Sequence, residues 1–292
     1  MTMKIRDLIL GVSFALIWSS AFTSARISML DAPPFLLLSV RFFLSGSIAI
    51  VLAYIFGQSI SFSKPEWLAI VIFGICQNTI YLGLNFVAMQ WIDAGLAATI
   101  ASLLPLIVTI VLWLFFKEKL GPLGSIGLVI GPFGLILIIH SNIYVKLNML
   151  GMVFCLIGVV SLAIATIIVR NSTGKNILMM IGLQMLVGSL TLLPLSIALE
   201  VWEFNLSQRL ILSFLYTTIF PGLIATIIWF KLIFFIGPIK AAAFHFLNPV
   251  FGVLIAHLIL SEQLTWQQFI GVILVTIAII CLQLSKIKNK KS

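Results

Sequence analysis

Charge is what this sequence has least of. Only 9% of its 292 residues are Asp, Glu, Lys or Arg, against about 25% in an average soluble domain. Acids are scarcest, eight against 17 Lys and Arg, which leaves a net charge of +9. A water-soluble fold of this size keeps a large exposed surface and places most of its charges there. A soluble enzyme, a disordered chain and a nucleic-acid binder are therefore excluded. Cysteine is also rare: Cys76, Cys155 and Cys281 are an odd, widely spaced set inside apolar runs. They read as small buried hydrophobes rather than a disulfide framework or a metal cluster. There is no HExxH, no GxSxG, no phosphate-binding loop and no clustered acid pair. No catalytic group, metal or cofactor is expected.

What is present is apolar. Hydrophobic residues make up 62%, and the mean hydropathy is +1.24. The solvent is lipid. A helix needs about 20 mostly apolar residues to cross a bilayer. Ten such runs occur, at 7–27, 33–56, 66–89, 94–116, 122–140, 148–169, 176–199, 208–235, 239–260 and 265–285. The first is read as a retained span and not a signal peptide, because it lacks a clean small-residue cleavage site. With the N-terminus in the cytoplasm, twelve Lys and Arg fall on the inner face, and Arg26, Lys146 and Arg209 on the outer. That bias places both termini in the cytoplasm, and the C-terminal lysines suit an anionic inner leaflet. Arg41 and Lys231 remain within spans.

The chain repeats itself. Residues 92–127 match 236–271 at an offset of 144: Pro105 falls on Pro249, Glu118 on Glu262 and Gly127 on Gly271. Gly11-x-x-Phe14-x-Leu16-Ile17 recurs as Gly151-x-x-Phe154-x-Leu156-Ile157, at an offset of 140. Each half (7–140 and 148–285) thus holds five spans, and an odd number forces the second half to enter from the opposite side. Inverted repeats of this kind are a common construction of secondary transporters, whose sites lie at interrupted helices near the midplane. The interruptions here are Pro105 and Pro249, expected to act as helix breaks or gates, and Pro221-Gly222. A plain packing kink is the other reading of each.

Ionisable and polar groups inside the membrane are costly and mark candidate sites. Arg41 lies about a third of the way into the second span. Either it snorkels to the outer interface, or it faces a cavity and pairs with a substrate carboxylate. Lys231 reads as snorkelling. Asn78, Tyr81 and Asn85 fall on one face at helical spacing and suit a cavity wall or inter-helix hydrogen bonds. Gln77, Thr99, Ser102 and Thr109 accompany them. His245 and Asn248 stand directly before Pro249, and His245 can couple to protons or simply be satisfied in the bundle. Trp18 and Trp229 sit mid-span, away from the interfacial belt, where a ring can pack or can line a ligand cavity.

Trp18-Ser19-Ser20-x-Phe22, Pro33-Pro34 and Arg41-Phe42 resemble the first two spans of the EamA family in the drug/metabolite transporter superfamily. Trp229, Ala241-Ala242, Asn248-Pro249-Val250, Ser261-Glu262-Gln263-Leu264 and Gln268-x-x-Gly271 resemble its second repeat. Ala97-Ala98, Pro105, Lys117-Glu118-Lys119-Leu120 and Gly127 hold the matching places in the first. One departure is Ser19, where the family usually has Gly, and it leaves the local packing open. The resemblance implies an all-α fold of ten transmembrane helices in two inverted five-helix repeats. Spans 1–4 and 6–9 would line a central cavity, with spans 5 and 10 peripheral. It implies a bacterial plasma-membrane exporter of amino acids, related metabolites or drugs, working by alternating access.

The substrate-binding set expected on these grounds is Trp18, Arg41, Asn78, Tyr81, Asn85, Trp229, His245 and Asn248. The expected partners are a small-molecule substrate, the bilayer, and a proton (through His245) or a counter-substrate. The protein itself would be a monomer or homodimer. An uptake carrier of the same fold, a channel and a membrane-embedded lipid enzyme are the rival readings. The last would need a His, Asp or Glu cluster near one face, which the sequence lacks.

Overall fold

A computed structural model of the chain describes residues 4–140, 148–170, 172, 174–251 and 265–288. Its helices are α1 (Ile5–Ser28), α2 (Pro34–Ile55), α3 (Lys64–Ala88), α4 (Ala94–Phe116), α5 (Pro122–His140), α6 (Met149–Val169), α7 (Ile177–Leu199) and α8 (Gln208–Ile236). Then come α9, which opens with Pro238–Ala243, and α10 (Trp266–Leu284). Nine of the ten apolar runs coincide with helices to within two residues at each end; the run 239–260 is described only to residue 251. Seven helices, α1 to α4 and α6 to α8, are long and apolar enough to cross a membrane. α5 and α10 supply shorter apolar stretches, Pro122–Leu137 and Phe269–Leu284. Lys146, His257, the Ser261-Glu262-Gln263-Leu264 segment, Lys290 and Lys291 lie outside the described residues, as do the side chains of His140 and Gln268.

Burial runs opposite to that of a water-soluble protein. Phe115 is 76% exposed and Leu190 70%, while Asn248, Gln184 and Ser102 are fully buried. Lipid takes the apolar exterior, and polar side chains turn inward, where protein groups can satisfy them.

Local chemistry sets the helix ends. Pro34 opens α2 in the first-turn position that suits proline. Ser63 and Glu66 form a reciprocal capping box at the start of α3. Gly237, at φ +80°, turns the chain sharply between α8 and Pro238 of α9, a conformation that L side chains resist.

Helix interiors are irregular at repeat-related places. α3 is π-helical over Gly74–Leu82 and α8 over Thr218–Ala225, so the two segments begin 144 residues apart. Pro221 cannot donate to the turn before it, and the widened π turn accommodates its ring. α4 opens into a turn at Ser102–Leu103 just before Pro105, and α9 tightens to a 3-10 turn at Phe244–Phe246 just before Asn248-Pro249. The Pro105 and Pro249 interruptions read from sequence are thus present, and α3 and α8 add a second matched pair.

The repeats pack on one another. α2 lies antiparallel to α7, with Ser39 Oγ donating to Ser189 O at 3.1 Å. Further along the same pair, a Cβ on Gly46 would stand 2.9 Å from Gly182 O, and one on Gly182 would stand 2.9 Å from Gly46 O. α5 lies antiparallel to α10 in the same manner: Gly127 abuts Ala278 O and Gly134 abuts Gly271 O. Gly127 and Gly271, and likewise Gly134 and Ala278, are 144 residues apart. The two contacts therefore exchange under the repeat, as an approximate two-fold requires.

Loop contacts sort into two faces, matching a chain that alternates sides at each helix. On one face Asp31 accepts from Arg209 Nη2 at 2.7 Å, Arg26 reaches Asp93 at 3.2 Å, and Glu200 accepts from the Phe35 and Leu36 N–H groups. On the other, Arg170 pairs with Glu118 at 2.7 Å, and Lys119–Leu120 (β1) forms a two-residue antiparallel ladder with Ile287–Lys288 (β2). Gln58 there accepts from Met179 N–H at 3.1 Å.

Two outcomes are expected. Gly182→Leu forces a side chain into the α2–α7 contact and should lower stability by about 1–3 kcal/mol, read as a lower melting temperature in detergent. Hydrogen bonds from Arg209 and Ser207 hold the Asp31 carboxyl down at about 2, below the usual value of about 3.9. A depressed carboxylate contributes stability above its unfolded value and loses it as pH falls through the folded one. Asp31→Asn should therefore melt lower than wild type at neutral pH, and the gap should close between about pH 4 and pH 2.

Candidate functional site

The polar residues of the bundle gather between its middle and the face that carries Asp31 and Arg209. Arg41 stands seven residues past Pro34, about 10 Å along α2 at 1.5 Å per residue. It is 4% exposed. Its Nε has no hydrogen-bond partner, and among the described residues no carboxylate reaches it. The ring of Phe42 lies 5.5 Å from its guanidinium carbon. Gly222 in the π turn of α8 lets that helix approach α2 beside Arg41, since a Cβ there would stand 3.0 Å from Ser45 Oγ.

Arg41 lines a small cavity with Trp18, Ala21 and Phe22 of α1, Leu82, Asn85 and Phe86 of α3, Met89 beyond it, and Pro221 of α8. Its volume is about 20 Å³, room for about one water molecule. Arg41 thus turns into the bundle and lines a cavity, away from the interface that snorkelling would reach. On the Asp31 face a wider groove of about 960 Å³ opens, lined by residues that include Asp31, Phe35, Gln90, Glu200 and Glu203.

A layer of rings adjoins the cavity. Trp18 stacks on Tyr81, with centroids 6.4 Å apart and planes at 9°. Phe14 lies between Trp18 at 5.3 Å and Trp229 at 4.9 Å. All three of Phe14, Trp18 and Trp229 meet the His245 ring edge to face, at 5.2, 6.0 and 5.1 Å, a favoured aromatic geometry. Asn248 Nδ2 lies 3.2 Å from His245 Nδ1. With the amide donating, the ring proton sits on Nε2 and the imidazole is neutral. Ser19 Oγ donates to the Asn248 carbonyl at 3.0 Å, so the residue that departs from the common Gly ties α1 to the broken α9. The 3-10 turn is seated by its neighbours: a Cβ on Gly11 would stand 2.1 Å from the Phe244 ring, and one on Gly131 2.8 Å from Phe246.

Asn78, Tyr81 and Asn85 do not share a face. The π turns of α3 add a residue per turn, which separates Asn78 from the other two. Asn78 donates to Gln184 O of α7 at 2.9 Å and to the Gln184 side chain. Tyr81 turns to Trp18, and Asn85 lines the cavity while donating to Tyr81 O at 2.7 Å. Trp18, Arg41 and Asn85 are thus brought together in one cavity. Trp18, Tyr81, Trp229, His245 and Asn248 form the ring layer beside it. Pro105 and Pro249 mark the breaks of α4 and α9. The sequence reading missed Phe14, Phe86 and Gln184. Phe14 had a signal, one helical turn before Trp18 on the same face; Gln184 had none.

Residues 6–140 match the EamA-like transporter family, and so, separately, do residues 149–284. The chain belongs to the EamA-like transporter family. Its members at this similarity include the Bacillus subtilis (strain 168) protein named uncharacterized transporter YvbV, 23% identical over 99% of this chain and 95% of its own length. The Escherichia coli (strain K12) protein named uncharacterized inner membrane transporter YedA is 26% identical over 97% and 94%. Protein PecM of Dickeya dadantii (strain 3937) is 25% identical over 74% of each. A solved crystal structure superposes with a TM-score of 0.77 over 96% of both chains at 17% identity, which shows a common fold. The multi-pass helical bundle is therefore that of an EamA transporter.

His245→Leu removes the acceptor that the buried Asn248 amide uses and should cost about 1–3 kcal/mol, read as a lower melting temperature. His245→Gln, which restores an acceptor, should recover part of it.

Proposed function

We propose that this EamA protein is a secondary transporter that moves small carboxylate-bearing metabolites, amino acids or their close relatives, by alternating access. Ten crossings in two inverted five-helix halves, 7–140 and 148–285, rock about the Arg41 cavity. Both termini face the cytoplasm of a bacterial inner membrane, in keeping with the distribution of Lys and Arg. The family resemblance implies export. One observation carries the substrate class: Arg41 is buried in a cavity with no anionic partner among the described residues. A charge held in a membrane without a partner is costly, and a substrate carboxylate can relieve that cost through two parallel N–H···O bonds.

On the cavity wall, Asn85 Oδ1 is buried without a partner and offers a hydrogen bond. Trp18 and Trp229 supply apolar wall, with Asn248 and His245 fixing the broken α9 behind them. Asn78 belongs to the tie between α3 and α7. His245, enclosed by rings and beside the Asn248 amide, holds the wall. At about 20 Å³ the cavity is smaller than any such substrate, so binding requires it to widen. Opening it is assigned to the breaks at Pro105 and Pro249 and to the π turns of α3 and α8, where helices yield most easily.

In proteoliposomes the protein should show saturable counterflow of radiolabelled metabolite carboxylates. Arg41→Ala should reduce it about 10- to 100-fold, the value of a charge-assisted pair of about 1.5–3 kcal/mol. Undiminished counterflow in that variant would remove Arg41 from substrate binding.

A further inference from the structure

Every acid in the described chain lies at or near a helix end. Asp7 is held by Arg6 at 2.8 Å, Asp31 by Arg209, Asp93 by Arg26, and Glu118 by Arg170. Glu66 caps α3, Glu200 accepts the first N–H groups of α2, and Glu203 is exposed beyond α7. The cavity wall itself holds one cation, Arg41, one amide, Asn85, and otherwise Trp18, Phe22, Phe86 and aliphatic groups. Its fixed charge is therefore +1, with no carboxylate among the described residues to offset a second cation. A zwitterion seated here would satisfy Arg41 with its carboxylate and leave its ammonium to the rings and a single neutral amide, where cation–π attraction is smaller than the cost of desolvating a second positive charge beside Arg41. An unpaired buried charge costs far more than an unpaired neutral group. Asn85 points the other way: its Nδ2 is already used on Tyr81 O, while Oδ1 is buried and unpartnered. That leaves one acceptor, which a neutral donor satisfies without adding a second positive charge.

We infer that the substrate is a net monoanion, an aromatic-bodied carboxylate without an ammonium group and carrying one neutral hydroxyl or N–H donor. This rests on the carboxylate reading of Arg41 given above and chooses within it: carboxylate to Arg41, ring between Trp18, Phe22 and Phe86, donor to Asn85. The carboxylated relatives of amino acids that have lost or never had the amine belong to this class, and free amino acids do not.

The test compares compounds of one skeleton on the wild-type protein. Purified protein in detergent is melted with 3-(4-hydroxyphenyl)propionate, tyrosine, tyramine or 3-phenylpropionate, and the same labelled compounds are followed in proteoliposomes. A ligand raises the melting temperature by mass action. The expected result is stabilisation and counterflow with 3-(4-hydroxyphenyl)propionate, on the order of tenfold stronger than with tyrosine. 3-Phenylpropionate should fall between them, and tyramine should have no effect. Arg41→Met, checked for a monodisperse fold by size exclusion, should lose the response to both propionates. Tyrosine equal to or better than the hydroxyphenylpropionate overturns the inference and leaves the carboxylate reading standing. A response to tyramine alone, or to none of the carboxylates, overturns both.

Discussion

A guanidinium in the interior of a membrane protein has to be offset by something. In water its charge is solvated; in a low-dielectric interior the same charge is expensive unless an anion or dense hydrogen bonding meets it. Arg41 is buried on α2 with its Nε unpartnered, and the bundle is shaped around that demand. The bare backbone of Gly222 lets α8 approach it, the π turn at Pro221 opens the space beside it, and Asn85 and Trp18 complete the walls. The acids among the described residues stand at or near helix ends, where Asp31, Asp93, Glu118 and Glu200 tie together segments of the same face. The packing thus keeps one positive site open, which suits a carrier that must bind and then release.

The same economy governs the backbone. In lipid every N–H and C=O has to find a protein partner, so irregular helix is tolerated only inside the bundle. Here the irregular segments come in matched pairs, the π turns of α3 and α8 and the breaks of α4 and α9, all facing other helices. Close glycine contacts lock α2 on α7 and α5 on α10. Close-packed pairs and irregular segments therefore sit on different helices.

Much of this was legible in the sequence, because lipid imposes a coarse rule. A crossing helix needs a long apolar run, and the runs coincide with the helices almost residue for residue. The matched Pro105 and Pro249 announced the breaks of α4 and α9, since proline acts on the backbone locally. Trp18 and Arg41 stood out because a mid-span indole and a mid-span cation are rare. What the sequence did not carry was helical register. The spacing of Asn78, Tyr81 and Asn85 spells one face in an α-helix, and a π segment with no proline in it sends Asn78 to α7 instead. Gln184 and Phe86 were silent for a different reason: their roles depend on which helix lies opposite, and periodicity says nothing about neighbours. The role of Ser19 was equally hidden, being a bond to a backbone carbonyl 229 residues away.

The single positive charge at Arg41 also makes the empty and loaded carrier electrically unlike. With the monoanion proposed above as cargo, the empty cavity holds one elementary charge and the loaded cavity none. A membrane potential acts on charge at about 2.3 kcal/mol per elementary charge for each 100 mV crossed. The loaded protein is then indifferent to voltage, and the empty one feels whatever fraction of the field Arg41 traverses as the halves rock. Voltage would thus pace the return of the vacant site rather than the passage of cargo.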